Sequence, residues 1–235
     1  MKKLSYVPKT DYKIYTDSEK FSFTTDSVLL SDFAKMKKRE SLIDLGCGTG
    51  ILMLSCKGLY NLGHVIGIEI QEDVFKLCKE SMKVNNISDY TLINKSFKDV
   101  DIKSDSIDNI IVNPPYQVIG HGEENKRENF TKSRYDLTMN LEDIFKFSAR
   151  VLKSNKSLFM INKPERLVDI FFYARKNRLE PKRIRFVQPF KDKAPKLVMI
   201  EFIKNQRPFL KYEANLIIHG EKDYTEEVMR IYGRI

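Results

Sequence analysis

Four consecutive residues, Asn113-Pro114-Pro115-Tyr116, close the run "SIDNIIVNPPYQVIG" and bring together an amide, a bare carbonyl and an aromatic ring. Two prolines remove two backbone donors and fix φ, so the Pro114 carbonyl keeps its acceptor capacity. The residue before a proline is pushed into extended geometry, which keeps Asn113 out of a helix and projects its amide. Two acceptors, the Asn113 side-chain oxygen and the Pro114 carbonyl, are therefore expected to converge on one point. An exocyclic amino group such as adenine N6 carries two hydrogens and a lone pair delocalised into its ring. With one hydrogen accepted by each oxygen, its nitrogen is held in line for attack on an electrophilic methyl group, and the charge developing on it is stabilised without a strong base. Tyr116 offers a π-face to a planar base extruded from its stack. Taken alone, the tetrapeptide is equally a proline-stiffened turn beside an aromatic.

Two further features lie upstream. "DLGCGTG", residues 44–50, places Gly46, Gly48 and Gly50 where a backbone can turn sharply and approach a ligand with no Cβ in the way. Asp44 stands where a carboxylate holds either the turn or a ligand's ammonium group. Nineteen residues beyond Gly50 comes Glu69, a strand-end carboxylate able to accept both hydroxyls of a ribose. Dehydrogenases use such a turn as well, so turn and acid together indicate a nucleoside cofactor, either a nicotinamide dinucleotide or S-adenosylmethionine.

These residues need a scaffold that delivers strand ends to one rim. Helix patterns over 26–38 (Asp26 as its cap), 50–60, 72–84, 141–153 and 165–177 alternate with strand patterns over 41–45, 64–70, 91–94, 107–113 and 157–162; strands 181–188 and 196–204 close the core. Several strands are apolar throughout, as in a parallel sheet covered on both faces, and the last two lack a helix between them. The expected fold is α/β: a Rossmann-like, doubly wound, mostly parallel seven-stranded sheet with an antiparallel edge hairpin. Ligands bind such sheets beyond the carboxyl ends of the strands, where the unusual residues fall. No repeat or linker divides the chain, so one domain is expected over 1–235, with an N-terminal extension 1–40, a core 41–204 and a tail 205–235. Tyr and Phe at 171–173 are expected on the buried face of their helix.

Hydrophobic residues make up 42% and charged residues 31%, which excludes a disordered or fibrous chain. No apolar run is long enough to span a bilayer and the N-terminus is polar, so a cytoplasmic protein is expected. Cys47, Cys56 and Cys78 lack the spacing of a metal site and are expected to be reduced, with no metal bound. The net charge is +9, and between Lys146 and Lys196 fifteen Lys and Arg face four Asp and Glu. Such a basic stretch suits a polyanion, although a lysine-rich solvated surface gives the same composition.

"DLGCGTG", Glu69 and "NPPY" together resemble a class I S-adenosylmethionine-dependent methyltransferase acting on nitrogen. Longer stretches are similar to the bacterial valine-tRNA (adenosine 37) N6-methyltransferase family: "FTTDSVLLSDFA" (23–34), "SRYD" (133–136), "KAPKLVMIEFIK" (193–204) and "LIIHGEKDYTEEVMRIY" (216–232), in which Thr225 is placed to cap a helix. This resemblance implies catalytic roles for Asn113, Pro114, Pro115 and Tyr116. It implies contacts to S-adenosylmethionine from Thr25, Asp44, Gly46, Cys47, Gly48, Gly50, Glu69, Ile70, Phe97 and Asn113. Phe97 enters because "INKSFKD" stands where the family has an adenine-binding Asp, and its ring is expected to pack on the adenine face. Transfer RNA is the implied partner; from their charge, Arg183, Arg185, Lys191 and Lys193 of the closing strands and the loop between them are expected to contact its phosphates, Lys126, Arg127, Lys132 and Arg134 form either further phosphate contacts or a solvated loop, and a monomer is expected. Protein glutamine, a DNA adenine, a ribosomal RNA base and a non-catalytic tRNA-binding role are the alternatives.

Overall fold

Strands form where the chain is apolar on both faces. Leu42–Leu45 (β3) is buried at every position and Ile107–Val112 (β6) at all but one, the pattern of a central parallel strand. The computed structural model describes residues 2–17, 25–115, 139–221 and 223–235; Tyr116, Lys126, Arg127, Lys132 and Arg134 lie outside them. In chain order the remaining elements are β1 (Lys2–Tyr6), β2 (Lys13–Asp17), α1 (Thr25–Phe33), α2 (Ile51–Tyr60), β4 (Val65–Ile68), α3 (Glu72–Val84), β5 (Tyr90–Ile93), α4 (Leu141–Val151), β7 (Leu152–Asn162), α5 (Leu167–Lys176), β8 (Leu179–Gln188), β9 (Leu197–Lys204), β10 (Lys211–Tyr212), β11 (Leu216–Ile217) and α6 (Glu226–Ile231).

The main sheet runs β5-β4-β3-β6-β7-β9-β8, with β10 and β11 added along the far edge of β8. Neighbours are parallel from β5 to β7, whereas β9 is antiparallel to both β7 and β8. The expected hairpin is present, with its second strand inserted between its first and the parallel set. Side-chain alternation builds two cores. Leu42, Ile111 and Phe159 meet α1, α2, α3 and α6 on one face. Ile43, Ile110, Val112 and Leu158 meet α4 and α5 on the other.

Strand register sets the level of the rim. Leu45 pairs with Ile68 on one side and with Val112 on the other. The next residue of each strand, Gly46, Glu69 and Asn113, therefore leaves the sheet at the same level.

Two features escaped the sequence patterns. The β1–β2 hairpin leans on α3, whose Asn85 and Ser81 side chains bond the β2 backbone: the Lys13 amide donates to Asn85 Oδ1 (2.7 Å) and the Tyr15 amide to Ser81 Oγ (3.0 Å). The two short strands of the tail pair with β8, since a sheet edge left open invites addition.

Several expectations need correction. Asp26 lies inside the first turn of α1 rather than capping it, and that helix stops at Phe33. Phe172 is 61% exposed. Three consecutive helical positions span most of a turn and cannot share one face. Arg183 is no phosphate contact. It is 7% exposed, pairs with Glu201 (2.9 Å) and Glu213 (3.4 Å), and donates to the Phe33 carbonyl (2.7 Å), while its guanidinium lies 3.8 Å from the Phe33 ring centre. With β10 outside it, β8 is no longer an edge, and its cation is consumed internally. Arg185 is likewise engaged, by the Ala214 carbonyl (2.9 Å) and Glu227 (2.7 Å).

Removing one partner of a buried ion pair leaves the other charged and desolvated, so Arg183→Ala is expected to cost about 3–5 kcal/mol in urea unfolding. Exposed Lys191→Ala should stay within about 0.5 kcal/mol in the same measurement.

Candidate active site

The turn after β3 is held by its own neighbours. Gly46 and Cys47 amides both donate to the Ile68 carbonyl (2.8 and 3.1 Å), and the Gly50 amide donates to the Cys47 carbonyl (2.8 Å). Gly46, Gly48 and Gly50 have φ of +73°, +56° and +94°, the left-handed region that disfavours side chains. A Cβ on Gly46 would fall 2.9 Å from Met139 Cε and one on Gly50 2.9 Å from Cys78 Sγ, whereas one on Gly48 would meet nothing within 4 Å. Two glycines make room for the protein; the third faces open space, as a ligand cradle must.

Glu69 closes this turn from β4. It is 1% exposed; Oε2 accepts the Gly48 amide (3.0 Å), Oε1 the Gln71 amide (2.8 Å), and its carbonyl accepts Asn94 Nδ2 (2.8 Å). Each carboxylate oxygen has more than one lone pair, so a ribose diol can still be accepted. Asp44 lies beneath it, fully buried, with no hydrogen bond to either carboxylate oxygen. Burial first, then the Glu69 carboxylate, pushes its pKa well above the ordinary carboxylate value, with the Met53 backbone opposing weakly. A buried, unpaired acid is costly and calls for a cation or donor.

Gly46, Ile68, Glu69, Ile70, Lys95, Ser96, Phe97 and Met139 line one cleft. Phe97 occupies a short 3-10 turn, 97–99, capped by Ser96 Oγ, and packs edge-on against Phe147 with ring centres 5.5 Å apart. Gly46, Glu69, Ile70 and Phe97 are thus brought together in this cleft. Cys47 is buried 3.9 Å from Cys78, sulfur to sulfur, and contact with Cys78 and then burial push its thiol pKa up, which makes it packing rather than a nucleophile. Thr25 hydrogen-bonds Tyr232 of the tail. A nucleoside bearing an ammonium group suits this set: apolar walls for the base, Glu69 for the ribose, the gap at Gly48, and Asp44 for the cation.

On the neighbouring strand Asn113 is half-buried, Pro114 buried and Pro115 half-buried. Asn113 Nδ2 donates to Ser27 Oγ of α1 (3.1 Å). Ser27 and Met139 come from segments distant in the chain from the motifs, whereas Lys95 lies within the "INKSFKD" stretch that carries Phe97.

Beyond the rim, the tail assembles a row of rings. Phe190 stacks on His219 (5.1 Å), His219 on Tyr224 (5.3 Å) and Tyr224 on Tyr232 (6.0 Å, interplanar angle 4°), with the Arg234 guanidinium within 6 Å of the last two rings. Lys191 and Lys193 follow Phe190 in the exposed β8–β9 turn. Thr225 caps α6 as expected, accepting the Val228 amide (3.4 Å).

Comparison with known proteins gives the family and the fold of the chain. A family model described as methyltransferase small domain matches residues 12–166. A Parabacteroides distasonis protein named tRNA1(Val) (adenine(37)-N6)-methyltransferase is 28% identical over 200 residues, 81% of this chain and 80% of its own. A release factor glutamine methyltransferase of Aliivibrio fischeri is 35% identical, but over 77 residues, 33% of this chain and 27% of its own. Among solved structures, a predicted O-methyltransferase from Agrobacterium tumefaciens superposes with a TM-score of 0.71 at 17% identity, covering 89% of this chain and 96% of that one.

Asp44→Asn is expected to raise the melting temperature of the ligand-free protein by a few degrees at pH 7, roughly 2–4 °C for each kcal/mol gained. A carboxyl whose folded pKa is raised loses stability as pH climbs above its unfolded value near 4, so the advantage of the variant should grow from pH 4 upward in a pH series of melts. Gly67→Ala, whose Cβ would lie 2.5 Å from Met53 Sδ, should cost about 1–3 kcal/mol by overpacking. Gly48→Ala should cost only about 1 kcal/mol, the left-handed penalty.

Proposed function

Because the chain belongs to the methyltransferase small domain family, we propose that it transfers a methyl group from S-adenosylmethionine to N6 of an adenosine in tRNA, at position 37 beside the anticodon of a valine tRNA. The observation that carries this is the Asn113 carboxamide, its nitrogen on Ser27 Oγ, one residue past a strand end level with the glycine turn and Glu69. S-adenosylmethionine, when bound, supplies an electrophilic methyl group. Gly48 would leave space for it, Glu69 would accept its ribose hydroxyls, Ile70 and Phe97 would flank its adenine, and Asp44 would balance its ammonium group. Asn113 Oδ1 and the Pro114 carbonyl accept the two hydrogens of the target amine, so the nitrogen is oriented and its rising positive charge is stabilised. The proton lost after transfer leaves to water.

The preference for tRNA rests on three supports. The Parabacteroides relative matches over most of both chains, while the glutamine enzyme matches over only a third of this one. The ring row from Phe190 to Tyr232 offers π-faces to unpaired bases, as single-stranded loops require. Lys191, Lys193 and Arg234 add cations beside it.

Methyl-labelled S-adenosylmethionine should label unmodified tRNA, and nucleoside analysis should return N6-methyladenosine; DNA and bulk protein run in parallel should stay unlabelled. Label in protein glutamine would overturn the acceptor. Asn113→Ala should lower kcat about 10²–10³-fold, the scale of one lost transition-state partner, with S-adenosylmethionine Kd within about twofold. Lys191→Ala with Lys193→Ala should weaken tRNA binding and flatten its salt dependence by about one unit of slope per charge.

A further inference from the structure

We propose that Phe190 is a specificity-determining residue that stacks on a second unpaired base of the RNA, distinct from the base being methylated, an inference resting on the tRNA substrate proposed above. The rings of Phe190, His219, Tyr224 and Tyr232 lie nearly parallel in succession, with interplanar angles of 29°, 23° and 4°. Rings in such a row cover one another, so His219 and Tyr224 each have a neighbour toward both faces. At one end Tyr232 is half-buried against the core, bonded to Thr25 and flanked by the Arg234 guanidinium at 5.5 Å. At the other end Phe190 takes His219 on one face and is 46% exposed. The row therefore offers a base its Phe190 end.

That ring is preset. Phe190 lies in the turn between β8 and β9, where the Pro189 carbonyl accepts the His219 amide (2.9 Å), the Phe190 carbonyl the Lys193 amide (3.1 Å) and the Val187 carbonyl the Lys196 amide (2.9 Å). Gln188 Nε2 donates across the turn to the Lys193 carbonyl (2.6 Å). A platform held by its neighbours stacks a base at little ordering cost.

Sheet register separates this platform from the amine clamp. Val112 pairs with Met160, Met160 with Ile200, and Ile200 with Ile184. Asn113 is thus level with Arg185 of β8, with β7 and β9 between them, a separation of about 14 Å at the usual strand spacing. Phe190 stands beyond that level, past the end of β8 at Gln188. Stacked rings lie about 4.5–7 Å apart between centres, so a base whose amine is held at Asn113 cannot also lie on Phe190. A different base must occupy it. Lys191, Lys193 and Lys196 of the same turn are exposed, Lys193 beside Asp192 at 3.6 Å, and supply cations for the backbone that joins the two bases. Bases inside a duplex are stacked on each other and expose no face, so the substrate selected is a loop that presents two unpaired bases at once.

The chain contains no tryptophan, so Phe190→Trp places a single fluorescent reporter at the platform. Its emission should be quenched to saturation by an unmodified valine-tRNA anticodon stem-loop and stay unchanged with the same RNA annealed to its complement. No quench with the stem-loop, or an equal quench with the duplex, would overturn the proposal. Phe190→Leu should raise KM for tRNA about 10-fold, the scale of one base stack, with kcat and S-adenosylmethionine Kd within about twofold, as when uniform binding is lost. Phe190→Tyr keeps a ring and should hold KM within about twofold of wild type. Equal KM in the leucine and tyrosine variants would count against stacking and overturn the proposal.

Abasic sites placed one at a time through the loop locate the partner. At one position other than the methylated adenosine, wild-type and Phe190→Leu enzymes should bind the RNA with Kd values within about twofold, because coupling vanishes once its partner is gone. A tenfold ratio kept at every position would overturn the stack, and a ratio lost only at the methylated adenosine would overturn the separation of the two bases. Neither the scan nor the reporter needs turnover. Wild-type enzyme that labels protein but no RNA would overturn the proposed function, while the reporter titration would still decide the stack.

Discussion

Two hydrogen bonds to one side chain tie the site to the sheet. Glu69 takes the Gly48 amide on one carboxylate oxygen and the Gln71 amide on the other, and so fastens the turn after β3 to the start of the segment after β4. The Ile68 carbonyl, one residue earlier, accepts Gly46 and Cys47 amides from the same turn. Without these bonds the glycines would have no reason to hold three left-handed conformations in five residues. With them, the turn stands open over Asp44, whose unmet carboxylate stores an unfavourable energy that a cation can release.

The sheet register converts this local fastening into a reaction geometry. Since β3 lies between β4 and β6 and Leu45 is paired with both Ile68 and Val112, Gly46, Glu69 and Asn113 leave their strands side by side. This is the position where strand order reverses, and the crevice there follows from topology rather than from any one residue. The proline pair then prevents Asn113 from being drawn into a helix, so a strand end becomes a reactive group.

Basic charge in this chain serves two separate purposes. Arg183 lies inside the molecule, shared among Glu201, Glu213 and the Phe33 carbonyl, and joins α1 to the closing strands. Lys191 and Lys193 remain at the surface beside a row of four rings. The same tail that builds the row also reaches α1 through Tyr232 and Thr25. Its pairing with β8 explains both facts: β10 and β11 bury the strand that carries Arg183 and bring the rings of residues 219–232 to the rim.

Alternating strand and helix periodicity, the glycine turn, Glu69 and the proline pair were legible in the amino-acid order, because each is a local rule about backbone conformation or spacing. So was the Thr225 cap, since a capping hydroxyl acts on an amide three residues away. The β1–β2 hairpin, the burial of Arg183, the pairing of Arg185 with Glu227, and the meeting of Ser27 with Asn113 were not. The arginine and serine contacts join partners 18 to 150 residues apart, and no periodicity records whether a given arginine will find its carboxylate or a given serine its amide. Residue types and strand ends prescribed the chemistry that the rim can perform. Which cations stay in solvent was decided only when α1 and the tail closed over the sheet, because burial and hydrogen-bond pairing are properties of the packed chain.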